Sequence, residues 1–255
     1  MKTIVSAGLL VLSLHLFAQP EVSVEKTEAP LVSDDAAVDN YVLHMEKHFL
    51  NVSILAKELT ENYSTEHEKV RAIFRWITDN ISYDCYAIHH QHPYKLEDEI
   101  SYSMKEHYRY VAEATIIKRK AVCEGYSTLF YELCKAAGIK CYVVHGMANG
   151  HPAIIRFFRR IKKFNTNHAW NKVSIDGKWY FVDATWASGS CNGLVTRFRK
   201  EFHNEYFLVP DNELYPTHAE EKTESADIND MIGNPNYPGH EVRHPFLDAF
   251  YYDED

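Results

Sequence analysis

The chain has 255 residues, of which 45% are hydrophobic, 13% aromatic and 25% charged. That composition can bury a sizeable core and excludes a chain that stays disordered throughout. A formal net charge of −9 excludes the broad basic face that nucleic acid requires, so no nucleic-acid partner is expected.

Lys2 precedes a mostly apolar run over residues 4–17, and Ala18 supplies a small residue before Gln19 and Pro20. A charged start, a short apolar run and a small residue predict a signal peptide over residues 1–18, and with it a secreted or periplasmic location. The alternative is a buried N-terminal helix. At fewer than the ~20 apolar residues of a membrane span, the run predicts a chain that is not transmembrane. Residues 19–37 are polar, with Pro20, Pro30, Asp34 and Asp35, and predict a flexible leader. A folded domain is expected over residues 38–220 and a C-terminal tail over 221–255. Nothing in the sequence fixes an oligomeric state.

Apolar residues recur at helical spacing over residues 41–58, as one helix or two short ones. Thr65 followed by Glu68 is a capping-box pattern. Behind it Val70, Ile73, Phe74 and Ile77 form one helical stripe, ending near Asn80. Residues 85–110 are rich in His and Tyr without a clear period. His89, His90 and His92 invite a metal reading, but no His pair flanks a Glu at i,i+4 spacing, so a solvated loop is the better reading. No metal and no cofactor are expected.

Residues 123–137 predict a second helix, with Leu129, Phe130, Leu133, Cys134 and Ala137 inward and Gly138 as its stop. Residues 139–146 predict a strand. Residues 167–176 and 178–186 predict two more around Asp176 and Gly177, a strong hairpin pair. Helices followed by strands predict an α+β fold, with N-terminal helices packed on an antiparallel sheet. Arg156, Arg159, Arg160, Lys162 and Lys163 interleave with aromatics over residues 156–164. This run could grip an acidic substrate or a membrane surface, although such runs are more often solvated faces.

The five cysteines are Cys85, Cys123, Cys134, Cys141 and Cys191. In an exported protein an odd number leaves at least one free thiol or an intermolecular bond. One reactive cysteine and up to two disulfides would fit, with the pairing among Cys85, Cys134, Cys141 and Cys191 left open. Five unpaired cysteines packed as small hydrophobes is the alternative.

Cys123 stands at a predicted helix start, where the helix dipole favours a thiolate, with Lys118, Arg119 and Lys120 just upstream. A two-residue turn at Asp176 and Gly177 sets Val173 opposite Tyr180, Trp170 opposite Asp183 and His168 opposite Thr185. His168 and Asp183 then share a face as diagonal neighbours, roughly 7–8 Å apart at the backbone. There the carboxylate can orient the imidazole while the other ring nitrogen serves a thiol nucleophile as general base. A chance His–Asp pair on a structural sheet competes with this reading. The backbone N–H of Cys123 is the expected oxyanion donor, and no second donor is identified. Trp170 and Trp186 are expected as core or cleft wall.

The segments 121–127 (AVCEGYS), 167–171 (NHAWN) and 179–186 (WYFVDATW) together resemble the transglutaminase-like superfamily. Residues 70–84 resemble the helix before its cysteine segment. Residues 205–210 and 215–218 resemble the branch containing kyphoscoliosis-type peptidases. The resemblance covers about residues 65–218. It implies a papain-like core, a catalytic Cys123–His168–Asp183 triad, a protein or peptide substrate, and attack on a peptide or carboxamide carbonyl through a thioester. Hydrolysis, as a peptidase or amidase, is the leading expectation; protein crosslinking and a non-catalytic binding module are the alternatives. The basic run and the His/Tyr-rich stretch depart from the family pattern and leave substrate choice open.

Overall fold

The structure is a computed structural model that describes residues 34–45, 51–89, 104–150, 155, 166–210 and 217–220. All of them lie in the unit that runs from Ser33 to Asp255. The predicted signal peptide, His90, His92, the basic run 156–164 and the tail 221–255 fall outside the described residues.

The first helix, α1 (Asp35–His44), begins inside the stretch that composition assigned to a leader. Asp34 explains the correction, because its carboxylate accepts from the N–H of Ala37 and caps the helix. A second helix, α2 (Val52–Thr60), follows, so the apolar period over 41–58 belongs to two helices rather than one. The capping box at Thr65 and Glu68 is formed in full and opens α3 (Glu66–Asn80). Arg71 on α3 donates to both carboxylate oxygens of Asp39 at 2.7 Å, a bidentate pair that fastens α1 to α3.

A two-residue strand, β1 (Ser82–Tyr83), then pairs parallel with β2 (Lys120–Ala121). Between them lie α4 (Cys85–His89) and α5 (Met104–Lys118), so helix occupies part of the 85–110 stretch that was expected as a loop. Among the described α5 side chains Tyr108, Val111, Ala112, Thr115 and Ile116 are buried. The helical stripe exists, but Tyr, Ala and Thr carry much of it, so hydrophobic spacing alone does not reveal it.

The central helix is α6 (Cys123–Ala136), buried at every residue from Cys123 to Cys134. It packs against α2, α3 and α5 as well as β3 (Cys141–Ala148) and β4 (His168–Ile175). A helix covered this fully must find partners for its buried polar residues, among them Glu124, which meets His145. Among the described residues the sheet is five-stranded and antiparallel, in the order β8-β5-β4-β3-β9, with β5 (Lys178–Val182), β8 (Val209–Pro210) and β9 (His218–Glu220).

The β4–β5 register runs from Ile175 opposite Lys178 to Asn171 opposite Val182, as the two-residue turn predicts. Asp176 and Gly177 have φ of 50° and 79°, the left-handed pair that such a turn requires. The ladder stops at Val182, however. Residues 183–186 are not strand: Asp183 caps a four-residue helix, α7 (Ala184–Ala187). An Asp is a strong N-cap, and here that local preference overrides continued pairing. A second hairpin, β6 (Gly189–Cys191) with β7 (Phe198–Lys200), closes the described core together with a turn of 3-10 helix at Asn204–Tyr206. Among the described residues no helix is long and apolar enough to cross a membrane.

Candidate functional site

Cys123 begins α6, and Val122 at the N-cap offers no side-chain acceptor, so the first-turn N–H groups are left to other partners. Three contacts fix this helix start. Tyr126 Oη donates to the carbonyl of Ile81 at 2.8 Å, and the buried Asn171 amide donates to the carbonyl of Ser127 at 2.9 Å. Glu124, next to the cysteine and buried, sits 3.1 Å from Nε2 of His145 on β3. The helix start is therefore tied to the segment after α3 and to the sheet.

His168 opens β4 and is buried. Its Nε2 lies 2.7 Å from Oδ2 of Asp183, so the carboxylate accepts and the ring donates. Nδ1 is thereby the nitrogen left for the thiol of Cys123, which lies within electrostatic reach of the same ring. Burial pulls the His168 pKa down, but the Asp183 carboxylate, with help from Cys123, outweighs it and pushes the value up to about 10. Burial alone would raise Asp183; the His168 and His218 rings instead hold its carboxyl well below the usual carboxylate range. The structure thus brings Cys123, His168 and Asp183 together. It does so through a helix cap rather than through the diagonal strand pair that the hairpin register implied.

His218 is the residue that sequence reasoning left without a role. It lies on the edge strand β9, fully buried, with Nε2 3.0 Å from Asp183 Oδ2 and Nδ1 3.0 Å from Thr217 Oγ1. Oδ1 of Asp183 accepts from the N–H groups of Thr185 and Trp186 at 2.9 and 3.0 Å. Gly146 lets β9 come this close. A Cβ there would stand 2.2 Å from the carbonyl oxygen of Ala219 and 2.5 Å from the Trp170 ring.

His168, Asp183 and His218 offer three ligand atoms within 4.8 Å of one another. The 2.7 and 3.0 Å contacts are hydrogen-bond lengths, shorter than the roughly 3.3 Å between ligands on a tetrahedral zinc. Trp170, 1% exposed, stacks beside His168 with ring centroids 5.8 Å apart. The half-buried Trp186 lies 5.8 Å from His168 and 4.7 Å from His218. One tryptophan is core and the other is the outer wall of the site.

A helix-borne cysteine, a sheet-borne histidine and a carboxylate at the sheet's end define a class of papain-like α+β proteins. The family model for the transglutaminase-like superfamily matches residues 54–184, just over half of the chain, and this protein belongs to that superfamily. Over 159 residues it is 31% identical to kyphoscoliosis peptidase of Homo sapiens, covering 61% of this chain and 21% of that one. It is 27% identical over 183 residues to hillarin of Drosophila melanogaster, covering 65% of this chain and 20% of hillarin. The chain spans about a fifth of the length of these curated relatives. Among solved structures, a TGase matches with a TM-score of 0.33 and 19% identity, over 72% of this chain and 40% of that one. The periplasmic domain of TgpA from Pseudomonas aeruginosa matches with a TM-score of 0.35 and 19% identity, over 59% and 48%.

Proposed function

We propose that the protein is an exported cysteine-dependent acyl-transfer enzyme, a peptidase or amidase, with Cys123 as nucleophile, His168 as acid and base and Asp183 as the group that orients it. One observation carries this reading: the His168 ring is held at Nε2 by Asp183, with the Cys123 thiol within electrostatic reach of that ring. The domain that performs the reaction is taken as residues 38–220, extended by the start of α1. Export rests on the apolar run behind Lys2.

In the proposed reaction Cys123 reacts as a thiolate, its thiol proton already given up, beside the His168 imidazolium, and the sulfur attacks the carbonyl carbon of a peptide or carboxamide. The imidazolium returns the proton to the departing amine as the C–N bond breaks, leaving a thioester. Water, giving its proton to His168, attacks the thioester; sulfur leaves and the acid is released. The N–H of Cys123 points from an uncapped helix start toward the developing oxyanion. The buried, negatively charged Asp183 keeps the imidazolium stable throughout.

The test is to incubate the purified protein with a glutamine-containing peptide library, with and without a primary amine, and to read products by mass spectrometry. Cleavage or deamidation that Cys123→Ala abolishes is the expected result. Incorporation of the amine instead would reassign the protein as a crosslinking enzyme. A thiol-directed amide probe is expected to label wild type and Cys134→Ala but not Cys123→Ala. Equal labelling of the two variants would sink the assignment.

A further inference from the structure

All five cysteines are reduced in the structure. The reaction above uses Cys123 and no other cysteine. Yet Cys85, at the start of α4 and only 6% exposed, places its Sγ 3.3 Å from Sγ of Cys191 at the end of β6. The two lie 106 residues apart in the chain, so local geometry does not account for the contact.

Backbone and side-chain contacts that involve no sulfur hold both arms in place. On one side β1 pairs with β2, the N–H of Asp84 donates to the carbonyl of Ala121 at 2.9 Å, and the Asp84 carboxylate caps α4 through the N–H groups of Tyr86 and Ala87. On the other, Cys191 pairs with Phe198 in the β6–β7 hairpin. Lys200 on β7 donates to the carbonyls of Thr78, Asp79 and Ile81 at 3.0, 2.7 and 2.7 Å. The rings of Tyr83 and Phe198 lie 6.3 Å apart. The two thiols are therefore brought together by the fold and not merely by chance rotamers.

We propose that Cys85 and Cys191 are a disulfide-forming modification site, closed by exchange with a disulfide donor, that clamps α4 to the β6–β7 hairpin beside Cys123. The part-exposed Cys191 is the entry point. Its thiolate attacks one sulfur of a low-molecular-weight or protein disulfide, and a mixed disulfide forms as one donor thiol leaves. Cys85 then displaces the second donor half. In balance, two S–H bonds are lost, one Sγ–Sγ bond forms, and the donor departs as two thiols carrying both electrons and both protons. The sulfurs need to close from 3.3 Å to about 2.05 Å, a shift within reach of side-chain rotation and small backbone adjustment. Burial, followed by the hydrogen bond with Cys85, pushes the Cys191 thiol up to about 12, so the resting Cys191 is protonated and exchange is slow without a good donor.

The clamp has a consequence for its neighbour. The parallel β1–β2 pairing sets Tyr83 opposite Ala121, two residues before Cys85 and Cys123 respectively, so the pair lies near the candidate nucleophile. Bonded to each other, Cys85 and Cys191 have no thiol left to exchange with a disulfide formed on Cys123. Cys134 and Cys141 lie elsewhere, buried at 0% and 5% exposure, where a donor has no access. The proposal holds whether or not Cys123 is a nucleophile.

The test uses the purified wild-type protein incubated with oxidised glutathione. It is then denatured in excess alkylating agent without reductant, digested and read by mass spectrometry. A peptide pair linked through Cys85 and Cys191, with Cys123 recovered alkylated, is expected. Recovery of Cys85 and Cys191 as separate alkylated peptides, or linked to Cys123, would overturn the site. The thermal midpoint of the oxidised protein is expected to fall by roughly 5–10 °C on adding reductant, because the bond closes a long loop. A double Cys85→Ser, Cys191→Ser variant should show no such fall, and a midpoint in wild type that ignores reductant would refute the clamp.

Discussion

The Asp183 carboxylate has no spare acceptor directed away from the site: Oδ1 serves two backbone N–H groups of α7 and Oδ2 serves two histidine rings. One side chain thus ends the β5 strand, starts a helix and orients His168. These duties can be separated. Asp183→Asn keeps an oxygen for the α7 cap but removes the charge that supports the imidazolium. Peptide hydrolysis is expected to fall at least ~100-fold while the fold survives, checked by kcat beside the circular-dichroism spectrum. His218 touches no reacting atom in the proposed mechanism and acts as a positioning residue through Asp183. Removing its N–H with His218→Phe loses a hydrogen bond to a charged group, about 1.5–3 kcal/mol. The expected result is a 10- to 100-fold drop in kcat with KM within about twofold, partly recovered by His218→Gln, which keeps an N–H donor. A change in KM alone would assign His218 to the substrate pocket instead.

Elements whose formation depends on local chemistry were legible in the sequence, and those that depend on distant partners were not. The Thr65 capping box, the stripe of α3 and the Asp176–Gly177 turn each sit within a few residues, and each is found where its residues point. The Cys123, His168 and Asp183 motifs were legible for the same reason, although the end of β5 was misplaced by four residues because Asp183 reads equally well as strand or cap. Helix α5 was hidden by small and polar inward residues and by Tyr110 and Ile117, 52% and 60% exposed on its outer face. His218 was hidden by topology: β9 joins the sheet beside β3, about seventy residues earlier in the chain. No periodicity records such a pairing; the one local trace is Gly146. Gly146→Ala is expected to push β9 away from β3, since backbone rather than a flexible side chain occupies the Cβ position. A loss of roughly 1–3 kcal/mol in urea denaturation is expected, with activity falling as His218 is drawn off Asp183. Full stability in that variant would show that the edge strand is looser than the contact implies.

At the scale of the whole molecule, the buried His168–Asp183 pair joins the start of β4 to the cap of α7, so it also contributes to global stability. Its pH dependence follows from the two shifted groups. His168 has a folded pKa raised to about 10, against about 6.5 in an unfolded chain. Its contribution is fully present below about pH 6.5 and is lost as pH rises through about 10. Asp183 is shifted the other way, so its contribution is present above about pH 3.9 and is lost as pH falls through its depressed folded value. Both describe one ion pair, counted once, and the pair stabilises most strongly between about pH 4 and 6.5. The thermal midpoint of wild type is therefore expected to decline between pH 7 and 10 more steeply than that of His168→Gln, which has no proton to lose there. Differential scanning fluorimetry across that range measures both slopes. Parallel slopes would mean that His168 carries no extra proton in the folded protein, and the imidazolium would then have to be formed by the substrate-bound state rather than held ready by Asp183.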